Sequence, residues 1–168
     1  MKQLRITKRA RHLAENETGG TLAELAILVP FLIVMVAAVF ELGRYFQNYA
    51  TLAKSTRASA RYLSRVAFDA ETEARAKNVA VCGKIDCTGT NPLVAGLSTT
   101  NINVATEFAP GGAGNPITVT VSIQNYTFQP LFNLAALLGN NTFSLALPIR
   151  PSTTMYYMWT DAGGGEEG

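Results

Sequence analysis

The segment from Gly19 to Gly43 constrains the fold of this 168-residue chain more than any other, because it is almost wholly apolar. Its uncharged centre, Leu25 to Phe40, is slightly shorter than the roughly 20 residues that a transmembrane helix needs. If the acids at its edges, Glu24 and Glu41, are tolerated, the segment is long enough to cross a bilayer. A charge at the middle of a membrane costs about 2.5–3.5 kcal/mol on insertion scales, so these two acids decide the interpretation.

The residues before this segment are basic, namely Lys2, Arg5, Lys8, Arg9 and Arg11. A basic start followed by an apolar run is typical of membrane targeting. A basic arm for nucleic acid is the weaker interpretation, and a net charge of +2 gives no strong attraction to nucleic acid. A removable secretory signal is disfavoured, because the basic front is long and polar helix-forming sequence follows the apolar core directly.

One helix is predicted from near Gly20 to about Val66, since no Gly-Pro punctuation interrupts it. Apolar and small residues recur along its second half at threes and fours, at Leu42, Phe46, Tyr49, Leu52/Ala53, Thr56, Ala60, Leu63 and Ala67. Arg57, Arg61 and Arg65 form a basic row on a different face. The exposed part of the apolar stripe is expected to pack on a sheet or on other subunits.

A second, shorter helix is predicted from Ala70 to about Ala80, with Asp69 as its N-cap. Two cysteines, Cys82 and Cys87, follow it closely. A lone pair beyond a membrane span indicates a disulfide in an oxidising compartment, the alternative being two unpaired thiols. No zinc or other metal site is expected, because structural zinc takes four ligands and the single histidine, His12, lies before the span.

The hydrophobic pattern then changes to the two-residue period of β-strands. Ile102, Val104 and Phe108 alternate with polar residues, and after a Gly/Pro-rich turn Ile117, Val119, Val121 and Ile123 do the same. These two strands predict a hairpin. A short helix is predicted between Pro130 and Gly139, and a last strand at Phe143, Leu145, Leu147 and Ile149, with Pro148 and Pro151 placing it at an edge or a bend. The fold class is therefore α+β.

The sequence offers no catalytic constellation, so no enzyme activity and no cofactor are expected. No histidine follows the span to act as a base, and no serine has a Gly-x-Ser-x-Gly context. The turn PGGAGNP lacks the lysine of a phosphate-binding loop.

Gly19, Gly20 and Glu24 carry a resemblance to a known class of proteins. GGTLAE followed by an apolar span resembles the leader of type IV prepilins, in which a membrane aspartyl peptidase cuts after the glycine. The longer segment through Arg65 is similar to the TadE-like pseudopilins of tight-adherence (Tad/Flp) pili. The shared features are the acid at position five after the cut, the proline at Pro30, the Glu41–Arg44 step and an Ala/Arg-rich helix ending near Tyr62. Leu25 departs from the aromatic residue that usually follows the acid.

This resemblance implies a minor pilin-like subunit of a type IVc pilus. Its partners would be other minor pseudopilins (TadF-like), a major Flp-type pilin, the prepilin peptidase and the inner-membrane assembly platform. Cleavage after Gly19 would leave Gly20 with an α-amino group whose pKa lies near 7.7–8.0. Glu24 would then pair with that amine, or with the amine of a neighbouring chain, since positions four apart share a helix face. Pro30 removes a backbone hydrogen bond and can kink the span. The kink either has a role in the protein or is tolerated without one.

The expected organisation is a pilin-like α+β protein in five segments. These are a cytoplasmic leader (1–19), a transmembrane helix (20–43), periplasmic amphipathic helices (44–80), a small α+β periplasmic domain (81–161) and a flexible tail (162–168). The protein would cross the bacterial inner membrane once with its N-terminus in the cytoplasm, and would either enter the filament or stay at its base. The alternative is a signal-anchored periplasmic binding domain that is neither processed nor assembled.

Overall fold

The structure, a computed structural model, describes residues 17–110, 115–132 and 146–159. Its elements in chain order are helix α1 (Glu17–Leu63), helix α2 (Ala70–Cys82), a 3₁₀ turn (Thr99–Asn101) and strands β1 (Ile102–Glu107), β2 (Thr118–Ile123) and β3 (Ser152–Tyr156). The predicted α+β class is confirmed, with a long apolar N-terminal helix followed by a small antiparallel sheet.

The chain divides into two compact units, of which the first ends at Leu42 and the second begins at Gly43. Helix α1 is continuous from Glu17 to Leu63, as the sequence predicted, and measures about 70 Å at 1.5 Å per residue. Its N-terminal part is long and apolar enough to cross a membrane, and only 6% of its most apolar window is buried. This part of α1 therefore does not serve as the core helix of the described fold.

Helix α2 begins and ends at local signals that the sequence carries. The Asp69 carboxylate accepts a hydrogen bond from the Thr72 N–H at 2.7 Å, and the Thr72 hydroxyl oxygen accepts one from the Asp69 N–H at 3.0 Å. At the other end, Gly83 has φ of +76° and donates its N–H to the Val79 carbonyl. A positive φ favours glycine. The predicted helix and its N-cap are confirmed.

The three strands form one antiparallel sheet in the order β1-β2-β3. The predicted hairpin is confirmed, with Ile102 opposite Ile123 and Glu107 opposite Thr118. Along β2 the residues Val119, Val121 and Ile123 are buried, as their alternation predicted. Ile117 and Phe108, expected on the same buried face, are instead 46% and 45% exposed because each lies just outside its strand, at the margin of the sheet.

The stretch predicted as the last strand is buried at Ile149, as expected, but it is not a strand of the sheet within the described residues. Phe143 and Leu145 lie outside them, Leu147 is exposed, and Pro148 makes only an isolated bridge to Thr127. The strand that joins the sheet, β3, begins after Pro151. Proline has no N–H to donate to the hydrogen-bond ladder of a sheet, so β3 starts at Ser152, the residue after Pro151.

The core of the second unit lies between the sheet and the two helices. Leu52, Ala60 and Leu63 from α1 are fully buried in it. The Ser59 hydroxyl donates to the Ala76 carbonyl at 2.7 Å, which ties α1 to α2. The hydroxyls of Thr56 and Thr153 lie 3.1 Å apart and link α1 to β3. These small residues let the elements approach closely.

Only the later part of the predicted apolar stripe is buried. Phe46 is 59% exposed and Tyr49 45% exposed, whereas Leu52 is fully buried. At 100° per residue Phe46 lies about 120° around the helix from Leu52, so the two cannot face the same sheet. The stripe predicted from spacing alone therefore includes two faces of the helix.

Several predicted features fall outside the described residues. These are the leader before residue 17, almost all of the short helix between Pro130 and Gly139, and the tail 162–168.

Candidate functional site

The junction predicted for cleavage, Gly19 and Gly20, lies in the first turns of α1. Both glycines are exposed, and a Cβ built on either would meet no atom within 4 Å. A helical peptide bond must be unwound before a protease can cut it. Helix ends lack the full set of backbone hydrogen bonds, and glycine weakens a helix by about 1 kcal/mol relative to alanine, so this stretch is the easiest part of α1 to open.

Glu24 lies on α1 four residues after Gly20 and is exposed. Four residues rise about 6 Å along a helix and return to the same face. The structure therefore brings Gly19, Gly20 and Glu24 together along one short helical segment. An amine created at Gly20 would start within one helical turn of the carboxylate.

Pro30 lies inside α1, six residues after Glu24. It has no N–H to donate to the carbonyl of Ala26, so that oxygen loses its helical partner. The helix nevertheless continues unbroken to Leu63.

The side chains beyond Pro30 form an open apolar surface on α1. Five of them line a shallow groove there, namely Leu32, Met35, Val36, Val39 and Phe40, and each is between 48% and 68% exposed. A surface this apolar is costly in water and suits lipid or the helices of other membrane subunits.

Cys82 and Cys87 are joined in a disulfide in the second unit, with their Cα atoms 5.9 Å apart. The bridge links the last residue of α2 to the loop that follows it. In that loop the Thr88 hydroxyl and N–H both donate to the Asp86 carboxylate, and these bonds hold the pKa of Asp86 below its ordinary value. The cross-link fixes the loop to the end of α2, and these hydrogen bonds stabilise the turn within the loop.

The described residues place Arg44 and Tyr45 against a side chain that the sequence did not single out, Phe128. The Arg44 guanidinium lies 5.4 Å from the centre of the Phe128 ring, and the Tyr45 ring meets that ring edge-on at 5.7 Å. Phe128 itself is 1% exposed. Arg44 and Tyr45 thus anchor the start of the second unit, a role that only the long-range contact with Phe128 reveals.

The described residues contain no group of three or more His, Cys, Asp or Glu side chains that could hold a metal ion. Glu41, one of the two acids at the edges of the apolar segment, is 1% exposed.

Part of the chain is similar to a known protein family. The family model described as TadE-like protein matches residues 19–61. The resemblance identified from the motifs is thus confirmed over this segment, which begins at Gly19 and covers nearly all of α1. No curated protein and no solved structure matches the chain.

Proposed function

Because residues 19–61 match the TadE-like family, we propose that this protein is a minor pilin-like subunit of a tight-adherence pilus. It is anchored in the bacterial inner membrane by α1, with its N-terminus in the cytoplasm and its second unit in the periplasm. It supports initiation, anchoring or assembly of the pilus and performs no catalysis itself. The disulfide between Cys82 and Cys87 suits an oxidising compartment and supports this orientation.

One observation carries the proposal: the match starts at the predicted cleavage site and runs through the apolar helix. A prepilin peptidase cuts after Gly19, and Gly20 becomes the new N-terminus. The amine formed there is mostly protonated at neutral pH, because its reference pKa is about 7.7–8.0. The whole apolar helix stays attached to the mature protein and remains in the membrane.

Glu24 is the assembly residue in this proposal. Its carboxylate pairs with the Gly20 amine of its own chain or of a neighbouring chain. An unpaired charge costs about 2.5–3.5 kcal/mol at the centre of a bilayer on insertion scales and less near its edge, so the pairing favours one alignment of neighbouring helices over others. Other minor pseudopilins, the major pilin and the assembly platform are the partners that this alignment serves.

Variants of Glu24 test the pairing. Glu24→Ala and Glu24→Gln should both enter the membrane and be cut, but should reduce surface pili strongly. Glu24→Asp keeps the charge with one methylene fewer and should retain most piliation. Alkaline extraction of membranes, the mass of the mature protein and counts of surface pili measure insertion, processing and assembly separately.

Normal piliation with Glu24→Ala would contradict the pairing role. A full-length wild-type protein in pilus-forming cells would favour the alternative, a signal-anchored periplasmic binding domain.

A further inference from the structure

Helix α1 and the turn that follows it carry a row of four cations on the face opposite the core. At 100° per residue, Lys54, Arg57, Arg61 and Arg65 fall within about 80° of arc. All four are exposed, whereas Leu52, Ser59 and Leu63 on the other side are buried. Like charges four residues apart destabilise a helix slightly. A bound anionic group would remove this repulsion between the four cations.

These cations line one open groove of about 560 Å³, together with Tyr62 and Val66. Within residues 17–110, 115–132 and 146–159, no ion pair involves any of the four. The cations of α2 differ, because Arg75 pairs with Glu71 and Lys77 with Glu73. Glu71 and Glu73 are therefore paired within α2. The four cations of the groove have no acidic partner among the described residues.

The C-terminal segment leaves the described fold beside this groove. The Met158 N–H donates to the Ser64 carbonyl at 2.9 Å, and the Tyr157 hydroxyl donates to the Val66 carbonyl at 2.8 Å. Both acceptors belong to the turn that follows α1, which also contains Arg65. The chain beyond Trp159 therefore starts at one end of the groove.

The sequence of that segment, TDAGGGEEG, complements the groove in charge and length. It contributes three acids, Asp161, Glu166 and Glu167, and no cation. From Trp159 to Glu166 an extended chain reaches up to about 23–25 Å at 3.3–3.6 Å per residue. The row from Arg65 to Lys54 extends about 16 Å along the helix, so the acids reach its far end.

We propose that residues 160–168 of this chain bind in the basic groove of α1, with Glu166 and Glu167 against Arg57, Arg61 and Lys54. A tether this short gives an effective concentration in the millimolar range, which suits a contact made of a few exposed ion pairs. The proposal does not depend on leader cleavage or on pilus assembly.

Zero-length cross-linking with a carbodiimide tests this contact in the full chain reconstituted in nanodiscs. The reagent joins a carboxylate to a lysine amine, and Lys54 is the one lysine of the groove. Peptide mass spectrometry should find Glu166 or Glu167 joined to Lys54 in the same molecule. A mixture of isotopically light and heavy protein distinguishes links within one chain from links between copies.

The matched variant is Arg57→Gln with Arg61→Gln, which keeps Lys54 and the helix propensity of both positions. The yield of the Lys54 cross-link should fall about two- to thirty-fold, the range that two exposed ion pairs supply together. Arg150→Gln, an exposed cation of the sheet region, should leave the yield unchanged. Salt at 1 M, where the Debye length is about 3 Å, should lower the wild-type yield as well.

Three results would overturn the proposal. The first is a tail that links to exposed Lys84 as often as to Lys54. The second is a Lys54 yield that the double variant leaves unchanged. The third is a link found only between light and heavy copies, which would show an acidic segment of a second copy as the occupant.

Discussion

The pKa of the Asp69 carboxyl group depends on hydrogen bonds from its immediate neighbours in the chain. The N–H of Thr72 donates to its carboxylate, and this bond holds the pKa of Asp69 below its ordinary value of 3.8. A carboxyl group whose pKa is lower in the folded state adds stability above the pKa of the unfolded chain. That contribution to stability is lost as the pH falls through the pKa that the group has in the folded state.

We expect Asp69→Asn to change the acid dependence of stability more than stability at pH 7. Asparagine caps a helix about as well as aspartate but does not titrate. Between about pH 5 and pH 2 the free energy of unfolding should therefore fall less in the variant than in the wild type. Denaturant unfolding followed by circular dichroism at several pH values measures this. Parallel curves for the two proteins would contradict the role given to the Asp69 carboxylate.

At the scale of elements, the attachment of α1 to the rest of the second unit depends on Phe128. Its ring lies under the Arg44 guanidinium and meets the Tyr45 ring edge-on, both near the start of the α1 portion of that unit. Burial of such an aromatic side chain contributes through apolar area and through ring geometry.

Phe128→Ala should lower the free energy of unfolding by about 3–5 kcal/mol, because it leaves a cavity where a fully buried ring stood. Phe108→Ala is the matched control, since Phe108 is 45% exposed and should cost far less. Denaturant melts of the full-length chain in detergent compare the two. Equal losses would show that Phe128 is not a central packing residue.

The helices were the most predictable elements because their signals are local. Asp69 and Thr72 mark the start of α2 within three residues, and the apolar run marks α1 by itself. The strand β3 was not predictable in position, since its segment STTMY is less apolar than the stretch at 143–149 that alternates more clearly. Pairing with β2, which is distant in sequence, decides which of these two stretches becomes the third strand of the sheet.

The residues of the candidate site also differ in how far the sequence alone identifies them. Gly19, Glu24 and Pro30 are recognised from their order along the chain. Phe128 has no sequence signal that links it to Arg44, because that contact joins residues far apart in the chain.

For the molecule as a whole, the evidence for the proposed pilus role comes from α1. The family match ends at Arg61, close to the end of that helix, and includes neither α2 nor the sheet. The central claim is that a peptidase cuts after Gly19 and frees the Gly20 amine near Glu24.

The N-terminal sequence of the protein isolated from native membranes tests this claim most directly. We expect it to begin at Gly20 in the wild type and in a Gly20→Ala variant to begin at that alanine. Gly19→Leu should leave the leader in place, and since a side chain at Gly19 meets no atom within 4 Å at its Cβ, the fold should be unchanged. A wild-type protein that still begins at Met1 in cells bearing pili would contradict the account.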